Sequence, residues 1–297
     1  MPRTLLNKLP GDFKTLPLRV EASHEGLSYQ SLGEPLNFTQ MLARRRPVGI
    51  ADPHCFSVEL ANLGVSVRLT LHWQGRDHWV LVRQRRPDRQ DEVLKLISGY
   101  VPAHELGLPL FTAMQEVAEE CLIESSDGWL AGRFADTWLP TPYRGSLRYR
   151  NDRHFELQPL GGARYPVRCG ALRLSEQPEA YVHVPTASLQ LVYDLRLVLP
   201  ADTRGISLYH VDESLEDDCL VARLERERPD IYLLDPLEGT LHSLHQGQLR
   251  SLDGRGLWLS EGFAPQEGWL IRDERIAFED WCERVRRRSS RYAGVGR

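Results

Sequence analysis

The sequence has no apolar run near the roughly 18 residues needed to cross a bilayer, no C-x-x-C pair, and little net charge, −4 over 297 residues. The first absence excludes a helical membrane span. The second, with 5 cysteines that are odd in number and widely separated (Cys55, Cys121, Cys169, Cys219 and Cys282), argues against a disulfide framework or a cysteine-held zinc site. Near-neutral charge gives no electrostatic reason for general nucleic-acid binding. The opening "MPRTLLNKLPGDFKTLP" lacks the sustained apolar segment and small-residue cleavage site of a secretory signal, so a cytoplasmic location is the expectation.

What is present is ordinary for a folded chain: 41% apolar and 26% charged residues, which favours neither disorder nor a fibrous repeat. The length suits one elaborated domain with extensions. Turn-rich residues 1–57 read as an N-terminal extension, 58–235 as the principal domain, and 236–297 as a small β meander followed by a helix. Either extension could make a homodimer contact. The run "RVRRRSSRYAGVGR" places 5 arginines between Arg284 and Arg291, a solvated tail by its composition.

Within the principal domain, "VSVRLTLHW" and "HWVLVRQRR" read as a hairpin, and "EVLKLISGYV" as a strand running into a glycine turn at Gly99. Pro109 suits the first turn of a helix, and Leu110, Met114, Val117 and Cys121 recur at helical spacing over 109–123. Further on, "ISLYHVDE" reads as a strand and "SLEDDCLVARLERERP" as a helix capped by Ser214.

The predicted 109–123 helix carries Glu116, Glu119 and Glu120 at i, i+3 and i+4, on one face. Like charges at that spacing cost a few tenths of a kcal/mol per pair, on the order of 0.2–0.5. A divalent cation resolves the conflict, since hard ions such as Mg²⁺ take oxygen ligands from one or two carboxylates, water and phosphate.

Gly99, Glu105 and the cluster Glu116-Val117-Ala118-Glu119-Glu120 resemble the box of the Nudix hydrolases, Gly-x5-Glu-x7-Arg-Glu-aliphatic-x-Glu-Glu-x-Gly-aliphatic. The chain departs from it in three ways: nine residues rather than seven follow Glu105, Gln115 stands for the arginine, and Leu122 for the closing glycine. The resemblance implies an α/β fold, an α/β/α sandwich with a mixed sheet, to which the extension and the C-terminal appendage are added. It also implies Mg²⁺- or Mn²⁺-dependent hydrolysis of a nucleoside diphosphate linked to another moiety, such as ADP-ribose or a nucleotide sugar. Glu116, Glu119 and Glu120 would ligate the metal, with Glu119 and Glu120 catalytic and Glu105 supporting the loop. Gln115 can donate a hydrogen bond but supplies no charge. The alternative is a weak or inactive Nudix-like module that binds a nucleotide or a protein.

Other residues are candidates for substrate contact. Arg83 and Arg85 could hold phosphates, because a guanidinium matches a phosphate bidentately. Pro140 and Tyr143 lie in "LPTPYRG", which is faintly similar to the Pro-rich loop of relatives that hydrolyse ADP-ribose. The base could come from Glu120 or from the acidic run Asp212, Glu213, Glu216, Asp217 and Asp218.

Overall fold

The longest strand, Asn62–Trp73, is buried along most of its length, as expected of a strand covered on both faces. It pairs antiparallel with Arg76–Arg86 through a two-residue turn in which Gln74 (φ 52°) and Gly75 (φ 81°) both adopt the left-handed region, the geometry that matches the twist of a hairpin. It runs parallel to Ser188–Val198, in register from Ser188 opposite Asn62 to Leu197 opposite Leu71. Asp91–Tyr100 completes this centre by pairing with both hairpin strands. The computed structural model describes residues 3–8, 11–86, 91–216, 219–227 and 231–293.

Alternation along these strands sorts the core into two layers. Val65, Val67 and Ile97 belong to one cluster with Ala113, Met114 and Val117 of the helix Pro109–Glu120. The same cluster takes in Leu18, Val20 and Tyr29 from a second, five-stranded sheet, to which Leu18–Ser23, Gly26–Ser31 and Phe56–Leu60 contribute. Leu81, Leu94 and Leu96 point the other way and meet Trp281 and Cys282 of the closing helix Phe278–Ala293.

The architecture corrects the expected α/β/α sandwich. Strands hold 53% of the chain and helices 14%, with three helices among the described residues and a mixed sheet of 19 strands. Two physical causes explain the difference. The acidic stretch from Ser214 is not a helix: Ser207–Glu216 and Cys219–Leu224 pair as antiparallel strands, from Val211 opposite Leu224 to Glu216 opposite Cys219. Its alternating Val, Ala and Leu residues, not the acids around Ser214, set the local structure. Nor do the outer segments stand apart from the main sheet. Arg3–Lys8 pairs with Cys219–Leu224, and Trp258–Ser260 pairs with Asp91–Tyr100, so residues of both extensions add strands to the main sheet. Among the described residues, no helix is long and apolar enough to cross a membrane.

Candidate functional site

The Pro109–Glu120 helix starts with proline in its first turn and buries Leu110, Ala113, Met114 and Val117. It ends three residues earlier than its periodicity predicts, because Cys121 turns extended (φ −112°, ψ 91°) and leads directly into the strand Cys121–Ser125. Leu122 is the second residue of that strand and is buried, which accounts for an apolar residue where the box has glycine. Cys121 itself is a buried free thiol, with burial pushing its pKa up to about 12.

Glu116, Glu119 and Glu120 line one cleft of about 180 Å³ with Arg83, Gln84, Lys95, Tyr143, His210 and Glu213. The last two glutamates occupy the final helical turn, where the partial negative charge of the helix end opposes them as well. Burial and then the neighbouring Glu120 and Glu119 push the Glu116 carboxyl up to about 8. Burial and then Glu213 push Glu119 up to about 7. Burial also raises Glu120, against the pull of Lys95. The helix therefore gathers carboxylates where both desolvation and mutual repulsion disfavour them.

Gly99 does not sit in a turn. It is a strand residue opposite Val65, and its role is space: a Cβ there would lie 1.8 Å from Glu116 Oε1. Glu105, in a short turn of 3₁₀ helix, accepts a hydrogen bond from Thr112 Oγ1 at 2.6 Å, which ties the loop to the helix. Gln115 is part-buried on the helix and does not line the cleft; neither does Pro140. Arg83 does line it, held by Glu92 at 3.2 Å and stacked over Tyr232. The side chains of Arg85, Arg86 and Asp212, together with Asp217 and Asp218, lie outside the described residues. Glu216 faces away, paired with Arg223.

Tyr143, from the Pro-rich loop, is buried and donates its hydroxyl to Glu213 Oε1 at 2.6 Å. Burial and the Glu213 charge keep this phenol protonated. Lys95 and His210 escaped the sequence reading. Lys95 Nζ donates to Ser98 Oγ at 3.1 Å and lies 3.5 Å from Glu120 Oε1. His210 is placed by register: it stands opposite Cys121, one residue beyond Glu120, and its Nε2 is 3.9 Å from Glu120 Oε2. Burial, and then Lys95, pull its pKa down to about 3. Each breaks an apolar strand ("EVLKLI", "SLYHV") with a polar side chain, which is the signal that could have marked them.

A second hollow of about 290 Å³ shares Gln84 and Lys95 with the acidic cleft and continues past Ser66, Ser98, Gln190 and Ser260. Gly64 leaves room for the Gln190 amide, since a Cβ there would lie 2.4 Å from its Oε1. The two hollows meet at Gln84 and Lys95, and the second also carries Arg45, Glu261 and Glu274.

Among the described residues, no three His, Cys, Asp or Glu side chains are gathered closely enough to hold a metal ion as they stand. The donor chemistry nevertheless suits a divalent cation. The glutamates offer only oxygen, and Glu120 Oε2 is buried with no hydrogen-bond partner. Glu116, Glu119 and Glu120 are the residues that would hold it, with Glu213 lining the same cleft. No protein-family model and no curated protein matches the chain.

Proposed function

We propose that the chain is a divalent-cation-dependent hydrolase of a nucleoside diphosphate linked to another moiety, and that its likeness to the Nudix hydrolases resides in the box segment and not in the architecture. One observation carries the reading: Glu116, Glu119, Glu120 and Glu213 oppose one another in a cleft that borders, at Gln84 and Lys95, a second hollow lined by hydroxyls, amides and charged groups. Bound there, Mg²⁺ or Mn²⁺ would neutralise pyrophosphate charge and polarise the bond under attack. Lys95 and Arg83 are the cations that would meet phosphate oxygens. Glu213, oriented by the Tyr143 hydroxyl, is the carboxylate best placed to take a proton from attacking water. Hydroxyls and amides of the adjoining hollow would take the linked moiety.

The absence of a ready three-donor set among the described residues, and the position of Gln115 away from the cleft, favour a second reading: a module that binds a nucleotide without turnover. One experiment separates the two. Purified protein is incubated with Mg²⁺ or Mn²⁺ and a panel of nucleoside diphosphate derivatives, and products are measured by phosphorus NMR. Cation-dependent cleavage of at least one member is expected. An inert panel, with a nucleotide that raises the melting temperature, would replace the hydrolase with the binding module.

A further inference from the structure

His210 lines the cleft with a chemistry that the glutamate box does not explain. Its strand, Ser207–Glu216, changes partner at this point: residues up to His210 pair with Cys121–Glu124, and residues from Val211 onward pair with Cys219–Leu224. Because Cys121 follows the last residue of the box helix, the register delivers the imidazole to the end of that helix beside Glu120. The side chain is 10% exposed, lines the cleft, and makes no hydrogen bond to any described residue. Its nearest acidic atom, Glu120 Oε2, is buried and likewise without a hydrogen-bond partner. The other oxygen, Oε1, faces Lys95.

Two donors on one ion, each at about 2.0–2.2 Å from it, stand about 2.8–3.6 Å apart at octahedral or tetrahedral angles. The 3.9 Å between Nε2 and Oε2 closes to that span with a small side-chain rotation. We infer that His210 and Glu120 form a nitrogen–oxygen pair that makes the cleft selective for a transition divalent cation, Mn²⁺, Co²⁺ or Zn²⁺, over Mg²⁺ and Ca²⁺. The inference rests on the cleft being the cation site proposed above. Mg²⁺ and Ca²⁺ take oxygen ligands and gain little from an imidazole, whereas the first-row transition ions accept it readily. The remaining positions would go to the other carboxylates of the cleft, to water and to substrate oxygens.

The test is cation binding to the full chain, wild type and His210→Gln, measured by calorimetry with Mn²⁺ and with Mg²⁺ alone and by electron spin-echo spectroscopy of bound Mn²⁺. The wild type is expected to bind Mn²⁺ about tenfold more tightly than Mg²⁺ and to show nitrogen coupling; His210→Gln should lose both while its Mg²⁺ affinity stays the same. Absent nitrogen coupling in the wild type overturns the inference, whether or not the variant folds. So does selectivity retained in His210→Gln, or failure to bind either ion. Mg²⁺-supported hydrolysis without nitrogen coupling would remove this inference and leave the hydrolase standing. Nitrogen-coupled Mn²⁺ on a chain that cleaves nothing would do the reverse.

Discussion

At Gly99 a single methyl group would overlap the Glu116 carboxylate, with 1.8 Å between the added Cβ and Oε1. Gly99→Ala must therefore displace that side chain or the strand beneath it, at a cost of about 1–3 kcal/mol. A lowered melting temperature together with weakened cation binding is the expected result, read by calorimetry; cation binding equal to wild type would mean that Glu116 is not a ligand. Position 115 behaves differently. Gln115 lies off the cleft, so Gln115→Arg should change turnover by less than about twofold, as for a substitution away from the site. A large gain would show that the box arginine is a missing part after all. Glu116, Glu119 and Glu120 were legible because helical spacing alone sets a common face. Lys95 and His210 were not, because strand register and the pairing of Cys121 with His210 bring them to the helix, and neither is written in local periodicity.

The helix Pro109–Glu120 was legible as an element and its end was not: apolar spacing continues through Cys121, while the chain has already turned into a strand. In the hairpin of Ser207–Glu216 and Cys219–Leu224 the first strand was legible up to Glu213, whereas the stretch from Ser214 reads as a helix because its acids imitate a capped first turn. The centre of the sheet, Asn62–Tyr100, was legible because β-branched and aromatic runs flank a short polar turn. At this scale the box helix makes a prediction about pH. Glu116 and Glu119 have folded-state pKa values of about 8 and about 7 against an ordinary 4.5. Between about pH 4.5 and 8 the folded chain therefore holds protons that the unfolded chain has released, and its stability falls as pH rises through that window. Without divalent cations the denaturation midpoint in urea should decline from pH 5 to pH 8; with Mn²⁺ present the decline should flatten at the alkaline end. A midpoint that rises over that range in the cation-free protein would contradict the arrangement of these carboxylates.

Across the whole molecule, strands do what helices do in a layered α/β fold: the five-stranded sheet covers one face of the centre beside the box helix, and terminal segments extend the main sheet. Composition could not reveal this, since the same apolar fraction fills either kind of layer. The result is a long sheet whose central strand end carries Gly64, Ser66, Ser98 and Gly99 side by side. The polar hollow there borders, at Lys95, the groove that holds the carboxylates. The claim that this groove is a cation-dependent hydrolytic site is tested most directly by the turnover of Glu119→Gln and Glu120→Gln. It is measured on whichever diphosphate derivative the wild type cleaves, alongside the wild type in Mn²⁺ and in EDTA. Each substitution removes a charge at little change in volume, so both variants should melt at or above the wild-type temperature while turnover falls by about 100-fold or more, and EDTA should abolish wild-type cleavage. Cleavage that persists in EDTA, or that survives in both folded variants, would contradict the account.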